Sequence, residues 1–153
     1  MKTCCFAGHR DPPDNIRADL AREVLRHVEC LGVTDFLVGA YGGFDRMARA
    51  VVAELRQTRP EVGLHLMLAY LPEPGRAIDL TDCVDAILPE GQELAPPRAA
   101  IPRLNRAMVD ASDCLIAYVT HISGGAYETL KYAGRRERRG LVQIINLGGI
   151  GRS

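Results

Sequence analysis

The amino-acid sequence predicts an α/β fold, with one doubly wound, mainly parallel sheet and helices on both faces. Short apolar runs alternate with stretches of helical periodicity along the chain, a pattern typical of successive β–α–β units. One run, residues 113–119, is apolar almost throughout, as expected for a central parallel strand covered by helices on both sides. Glycine-bearing loops follow several of the predicted strands, and there is no internal repeat or low-complexity linker. The predicted organisation is therefore a doubly wound α/β sheet, and we expect residues 1–153 to form a single domain.

The chain composition narrows the class of protein further. Its 153 residues suit one domain and are too few for two. Hydrophobic residues make up 47% and charged residues 25% of the chain, which excludes a disordered or fibrous protein. Lysine plus arginine and aspartate plus glutamate both number 19, so the formal net charge is zero. Overall charge therefore gives no basis for binding nucleic acid or a membrane, although a local basic patch stays possible.

The distribution of apolar residues and cysteines indicates a cytoplasmic protein. No apolar run reaches the roughly 20 residues of a membrane helix, and the brief apolar start ends at Gly8, so we expect neither a signal peptide nor a membrane partner. Five irregularly spaced cysteines are a poor disulfide framework, and we expect all five thiols in or near the core. The four histidines are dispersed, so the sequence predicts no metal site and no cofactor.

The first half of the chain predicts two β–α–β units. A strand over residues 3–7 is followed by a helix over residues 16–31, with Asp14 or Asn15 as its N-cap. Residues 35–39 form the second predicted strand. The second helix begins at Phe44 and ends before Pro60, and residues 62–70 form the third strand.

The second half begins with a long irregular region. A short strand is predicted near residues 84–88, followed by a loop over residues 89–97. The next helix is expected to begin close to Pro102, since proline is tolerated in a first turn, and to end near Ala111.

The chain is predicted to end with a β–α–β unit. The central strand at residues 113–119 leads into a helix that ends near Arg139. The arginines within Arg135–Arg139 lie at the C-terminal end of this last helix, where the negative end of the helix dipole favours cations. The last strand spans residues 141–147.

Three loops that follow predicted strands carry the candidate binding residues. In such folds ligands bind at the carboxyl ends of the strands, where the loops converge. The first loop is Gly8-His9-Arg10, in which the arginine is a natural partner for phosphate, although an ordinary solvent-exposed turn is the alternative. In the second, Gly42 and Gly43 expose backbone N–H groups at a helix N-terminus, a typical anion site.

The second loop also contains Asp45, which would either cap its helix or hydrogen-bond a ribose hydroxyl. The third loop repeats the arrangement of the second, because Gly124 and Gly125 open the last helix. Asn105 is a polar position with no evident structural role. Ser112 and Ser123 have no histidine that spacing places beside them, so we predict no nucleophile–base pair.

These residues together resemble a known family. The segment Cys4-Cys5-Phe6-Ala7-Gly8-His9-Arg10 resembles the opening of the YpsA-like and YoqJ-like bacterial and prophage proteins. The same resemblance extends through Gly42–Asp45, Asn105 with Met108–Asp113, and Gly124–Ala133. These proteins belong to the SLOG superfamily of Rossmann-like domains, named for the DNA-processing protein and the Lonely Guy (LOG) enzymes. The resemblance implies a pocket for a nucleotide or nucleotide derivative, such as an ADP-ribose-like ligand, and is compatible with a homodimer because related domains often pair.

The LOG branch implies a possible reaction. LOG enzymes are phosphoribohydrolases with a PGGxGTxxE motif. Laid over that motif, this chain keeps Gly124 and Gly125 but has Lys131 where the catalytic glutamate stands. Glu128 lies three positions earlier, on the same side of a helix, and is the residue that would take the catalytic role. A lysine cannot assist a departing ribosyl cation as a carboxylate does.

Three hypotheses follow from the sequence. The first is a nucleotide-binding sensor or carrier, in which Arg10 and the glycine N–H groups hold phosphate and Asp45 or Asn105 holds sugar hydroxyls. The second is a LOG-like phosphoribohydrolase that cleaves the N-glycosidic bond of a nucleoside monophosphate, with Glu128 or Asp45 stabilising the oxocarbenium charge. The third is DNA binding, by analogy with the DNA-processing branch of the superfamily; the zero net charge weighs against it, whereas the cluster Arg135–Arg139 is compatible with it.

Overall fold

The computed structural model describes residues 1–149 and contains one parallel sheet between two helical layers. Its elements are β1 (Thr3–Gly8), α1 (Ile16–Leu31), β2 (Asp35–Val38), α2 (Gly43–Thr58), β3 (Gly63–Met67), β4 (Asp85–Ile87), α3 (Pro97–Asp110), β5 (Cys114–Tyr118), α4 (Gly125–Arg138) and β6 (Gln143–Asn146). A short 3₁₀-helix at Gln92–Leu94 precedes α3. Within the described residues the strand order is β4-β3-β2-β1-β5-β6, and all five pairings are parallel. The predicted α/β class is confirmed.

Apolar side chains of the central strands divide the core into two layers. Because side chains alternate along a strand, Cys4 and Phe6 face one layer, whereas Cys5 and Ala7 face the other. The first layer is packed by α1 and α2, and the second by α3 and α4. Helices therefore cover both faces of the sheet, as the continuous apolar character of the central strand predicts.

Helix α3 begins earlier than the sequence predicts. Its first residue is Pro97, and Pro102 lies inside the helix rather than at its start. The buried positions Ala100, Leu104 and Met108 recur every four residues, so their burial against the sheet outweighs the cost of one backbone hydrogen bond that Pro102 cannot donate.

The cysteines are not all in the core. Cys4, Cys5 and Cys114 are fully buried and Cys83 is half-buried, but Cys30 is exposed. The expectation that all five lie in or near the core is therefore wrong for Cys30. Cys30 lies in the last turn of α1, about a quarter turn around the helix from the centre of its buried stripe, and is therefore open to solvent.

The long irregular segment between β3 and β4 is anchored to α2. The guanidinium of Arg49 donates hydrogen bonds to both carboxylate oxygens of Asp82, from Nε at 3.0 and 3.1 Å and from Nη2 at 2.6 Å. A bidentate contact of this kind fixes the orientation of the segment as well as its position. No helix within residues 1–149 is long and apolar enough to cross a bilayer.

Candidate functional site

A cavity of about 530 Å³ opens at the carboxyl ends of β1 and β5. These two strands are neighbours, but the helix that follows β1 packs on one face of the sheet and the helix that follows β5 packs on the other. Their loops therefore diverge and leave a crevice, which is where open α/β sheets bind ligands. The cavity is lined by Ala7, Gly8, His9, Arg10, Asp11, Tyr41, Asp45, Ile101, Asn105, Tyr118, Thr120, His121, Ser123, Gly124, Gly125 and Ala126.

The cavity brings together most of the residues that the sequence singles out. Seven of them line it: Gly8, His9, Arg10, Asp45, Asn105, Gly124 and Gly125. They come from the end of β1 and the loop after it, the first turn of α2, the middle of α3, and the N-cap and first residue of α4. Gly42, Gly43 and Glu128 are not among the lining residues.

Gly8 lets α2 pack closely against the end of β1. A Cβ atom built on Gly8 would overlap the ring of Phe44, which is fully buried in the first turn of α2. The ring of Phe44 also stacks on that of Tyr118, with 6.0 Å between centroids. Only glycine at position 8 therefore allows the first turn of α2 to lie beside the cavity.

The N-terminus of α2 is occupied by the protein's own backbone. The N–H of Gly43 donates to the carbonyl oxygen of Arg10 at 2.8 Å, and the N–H of Phe44 donates to the carbonyl oxygen of His9 at 3.3 Å. A Cβ atom on Gly43 would overlap the same Arg10 carbonyl oxygen. The Gly43 amide is thus already engaged, and in this structure Gly43 holds the loop after β1 against α2 rather than presenting its N–H to the cavity.

Asp45 is a carboxyl group enclosed at the cavity wall. The N–H of Tyr41 donates to Oδ2 of Asp45 at 3.2 Å, and a Cβ atom on Gly39 would lie 2.8 Å from that oxygen. Burial raises the pKa of Asp45 to about 6. The N-cap of α2 is Gly42, without a side-chain cap hydrogen bond, so Asp45 does not take the capping role that the sequence leaves open.

The N-terminus of α4 opens into the cavity. Its N-cap, Gly124, has φ +90°, a left-handed conformation that favours glycine. A Cβ atom on Gly125 would find no other atom within 4 Å, so open space adjoins this turn. The first N–H groups of an α-helix have no partner within the helix and carry the positive end of its dipole. The exposed side chain of Arg10 lines the same cavity.

Two histidines stack at the edge of the cavity. The rings of His9 and His121 are nearly parallel, 5° apart, with centroids separated by 3.8 Å. The N–H of Thr120 donates to Nε2 of His9 at 2.9 Å, so in neutral His9 the proton lies on Nδ1. Burial, and after it the neighbouring His121, lowers the pKa of His9.

His121 and Ser123 are the part of the site that sequence reasoning missed. Nδ1 of His121 lies 3.1 Å from Oγ of Ser123, which corrects the expectation that no histidine stands beside this serine. The signal was the His-x-Ser spacing in the loop after the most apolar strand. Tyr41 and Tyr118 also line the cavity and were not singled out, because each looks like an ordinary core residue in sequence.

Glu128 lies outside the cavity. Its side chain is 68% exposed, and its Oε2 is 3.8 Å from Nζ of Lys131 on the next turn of α4. The carboxyl groups that line the cavity are instead those of Asp11 and Asp45. Residues 1–149 contain no group of three or more His, Cys, Asp or Glu side chains placed to hold a metal ion.

The fold and the cavity define a Rossmann-like α/β protein with a crevice at the point where the sheet changes its direction of winding. Neither a protein-family model nor a curated protein sequence matches the chain. What the protein binds is therefore argued from the residues of the cavity.

Proposed function

We propose that this protein binds a nucleotide or nucleotide derivative in the cavity between β1 and β5, as a sensor or carrier. The observation that carries the proposal is the convergence of a helix N-terminus, an arginine, a carboxyl group and an amide side chain on one cavity of about 530 Å³. That volume suits a ligand of nucleotide size.

The phosphate would be held by α4 and Arg10. Gly124 and Gly125 begin α4 at the cavity wall, and backbone N–H groups at a helix N-terminus bind anions. Arg10 would supply a charge-assisted hydrogen bond. The N–H groups of Gly43 and Phe44 already donate hydrogen bonds to backbone carbonyls. Of the two helix N-termini, we therefore expect only that of α4 to bind the phosphate, rather than α2 and α4 from opposite sides.

The sugar would be held by Asp45 and Asn105. One carboxyl oxygen of Asp45 accepts a hydrogen bond from the N–H of Tyr41. Because Asp45 also lines the cavity, its carboxyl group can accept a further hydrogen bond from a ligand hydroxyl. Asn105 approaches from α3 and offers both a donor and an acceptor. The resemblance to SLOG proteins also supports this proposal, implies a bacterial protein and keeps an ADP-ribose-like ligand among the candidates. A cytoplasmic location, expected from the cysteines and the N-terminal sequence, is part of the same proposal.

Thermal unfolding with a ligand panel tests the proposal. The panel is AMP, ADP, ADP-ribose, NAD and cyclic nucleotides. A ligand present at about 100 times its dissociation constant stabilises the native state by about 2.7 kcal/mol, which raises the melting temperature of a domain of this size by about 5–10 °C. We expect one ligand to give such a shift and Arg10→Ala to abolish it.

The matched control for Arg10→Ala is Arg138→Ala. Arg138 is an exposed arginine in the last turn of α4, about 20 Å along the helix from the cavity. The proposal predicts that this variant retains the full ligand shift. A panel without any shift, or a shift that Arg10→Ala leaves intact, contradicts the proposed site.

Asp45 favours a second candidate function, hydrolysis of an N-glycosidic bond. A carboxyl group with a raised pKa in a cavity is a typical catalytic group. In this reaction the base leaves with the electron pair of the glycosidic bond and the Asp45 carboxylate stabilises the positive charge on the sugar. Water then adds to the anomeric carbon, and the proton that this water loses is taken up by the released base. Release of free base from a bound nucleoside monophosphate tests it. Asp45→Asn should abolish release, whereas Glu128→Gln should not, since Glu128 is outside the cavity.

A further inference from the structure

We propose that the imidazole ring of His121 is a stacking platform for the base of the bound nucleotide. This inference rests on the proposed function and names the residue that recognises one part of the ligand. The proposal is based on the face-to-face stack of His121 on His9 at the edge of the cavity, with a centroid separation of 3.8 Å.

His9 provides a fixed support for the ring of His121. Its Nε2 accepts from the N–H of Thr120, its backbone N–H donates to the carbonyl oxygen of Tyr118 at 3.2 Å, and its carbonyl oxygen accepts from Phe44. The ring of Tyr118 meets His9 edge-on, with 5.9 Å between centroids. The His9 ring is thus held at its edge and through its backbone, and His121 covers one of its faces.

The second face of His121 is available to a ligand. The residue is exposed, and among the described residues His9 is the only aromatic or imidazole ring in ring contact with it. The hydrogen bond between Nδ1 and Oγ of Ser123 restrains the rotation of the ring. A flat ring that is supported on one face and open on the other is a surface on which a nucleobase stacks.

The stereochemistry of a nucleotide fits this placement. In a β-ribonucleotide the base and the 5′-phosphate project from the same face of the ribose ring, and the 2′- and 3′-hydroxyls project from the other. His121 and Gly125 belong to the same segment after β5, whereas Asp45 lies in α2. The base and phosphate can therefore both reach the segment after β5 while the hydroxyls reach Asp45.

Tyr41 and Tyr118 also line the cavity, but Tyr118 is buried against His9 and Phe44, and the contacts of Tyr41 favour a role in the wall. Its hydroxyl accepts from the N–H of Ala69 at 2.8 Å, its ring meets Tyr70 edge-on at 6.0 Å, and it packs against one of the two core layers. Tyr41 is thus committed to contacts within the protein, unlike His121.

The test compares nucleotides with a ligand that lacks the base. Dissociation constants are measured by calorimetry for AMP, GMP, CMP, UMP and ribose 5-phosphate, with the full chain and with His121→Ala and His121→Phe. Base stacking measured by alanine substitution contributes about 1–3 kcal/mol, so at least one nucleotide should bind about fivefold or more tightly than ribose 5-phosphate. His121→Ala should remove this advantage, and His121→Phe, which keeps a flat ring, should retain it.

Each outcome decides the proposal. Equal affinities for ribose 5-phosphate and all four nucleotides overturn the platform and leave the phosphate and sugar contacts standing. A base-dependent advantage that persists in His121→Ala also overturns it, since the base then binds elsewhere. If none of the five ligands binds the unaltered protein, the platform for a nucleoside monophosphate is overturned, whereas the proposed function is decided separately by the thermal-unfolding panel, which includes ADP-ribose and NAD. His121 is an exposed loop residue, and the melting temperatures of both variants show whether they fold.

Discussion

The backbone N–H of Gly43 donates a hydrogen bond to the carbonyl oxygen of Arg10 at 2.8 Å. This bond joins the first residue of α2 to the loop after β1, so that the two segments form one wall. Arg10 uses its backbone to bind α2, while its side chain lines the cavity. The same residue thereby connects the packing of the domain with the proposed ligand site.

Gly43→Ala should destabilise the protein, because the new Cβ would overlap the Arg10 carbonyl and lie 2.9 Å from Cδ of Pro12. Overpacking of this kind costs about 1–3 kcal/mol, measurable by urea unfolding. The matched control is Gly125→Ala, where a Cβ meets no atom within 4 Å. We expect the control to stay within about 0.5 kcal/mol of the unaltered protein. Equal stability of the two variants would contradict the role given to Gly43.

Asp45→Asn should stabilise the protein near neutral pH. Burial raises the folded-state pKa of Asp45 to about 6, above the usual value of about 3.9. Between these values the folded state retains a proton that the unfolded state releases, so folding becomes less favourable as pH rises from about 4 to about 6. Asparagine keeps an acceptor for the Tyr41 N–H but carries no charge.

The expected gain for Asp45→Asn is about 1–3 kcal/mol at about pH 8 and close to zero at about pH 4, measured by urea unfolding at both values. Asp11→Asn, which changes an exposed carboxyl group of the same cavity, should show no such gain. If Asp45→Asn is less stable than the unaltered protein at the higher pH, burial of the charged Asp45 carboxylate does not destabilise the folded state.

His65 should make the stability of the β2–β4 region depend on pH. Its Nε2 lies 2.8 Å from Oδ1 of Asp35 and its Nδ1 lies 2.7 Å from Oδ1 of Asp85. Burial acts to lower the pKa of His65, but the hydrogen bonds with Asp35 and Asp85 outweigh it and raise the pKa above the ordinary value. The resulting stabilisation is fully present below the unfolded-state pKa of about 6.5 and is lost as pH rises through the folded-state pKa.

His65→Gln should therefore cost more stability at about pH 5.5 than at about pH 9. We expect the difference between these two losses to be on the order of 1 kcal/mol, measured by denaturant unfolding. His121→Gln changes an exposed histidine without carboxylate partners in the described structure and serves as the control. If His65→Gln lowers the free energy of unfolding equally at both pH values, His65 stabilises the fold by packing as a neutral ring and not by a charged contact with Asp35 and Asp85.

Cys30 should be the thiol that reacts first with a water-soluble disulfide reagent in the folded protein. It is exposed, whereas Cys4, Cys5 and Cys114 are buried. Burial raises the pKa of the Cys5 thiol to about 12 and that of Cys83 to about 11, which lowers the fraction of reactive thiolate. We expect one thiol per chain to react rapidly with the reagent before the protein unfolds, and no thiol to react rapidly in Cys30→Ser. More than two rapidly reacting thiols per chain in the native protein would require Cys4, Cys5 or Cys114 to react and would contradict the packing of β1 and β5.

The order of strands and helices could be predicted because it depends on local patterns. The helical spacing of Leu20 and Val24 and the apolar run of β5 both identify buried surfaces directly. The start of α3 could not be predicted in the same way. Pro102 indicates a helix start, and only the sheet against which Leu104 packs makes an internal proline acceptable.

The position of the candidate site was predictable, but its contacts were not. Gly8, Arg10 and Gly124 follow strands, and the edge at which parallel strands end follows from the fold class. The stack of His9 on His121 joins residues more than 100 positions apart, and it depends on the pairing of β1 with β5. The engagement of the Gly43 N–H by Arg10 is likewise a tertiary contact, which no local spacing reveals.

The central position of β1 has a consequence for how the chain folds during synthesis. β1 is made before both of its neighbours in the sheet, and β5 follows it much later in the chain than β2 does, as in the pairing of Cys4 with Cys114. The edge of β1 that pairs with β5 stays unpaired until β5 has been made, and contacts so distant in sequence form slowly. The nascent protein therefore exposes an apolar strand edge until β5 is made, and the cavity between β1 and β5 cannot assemble before that point.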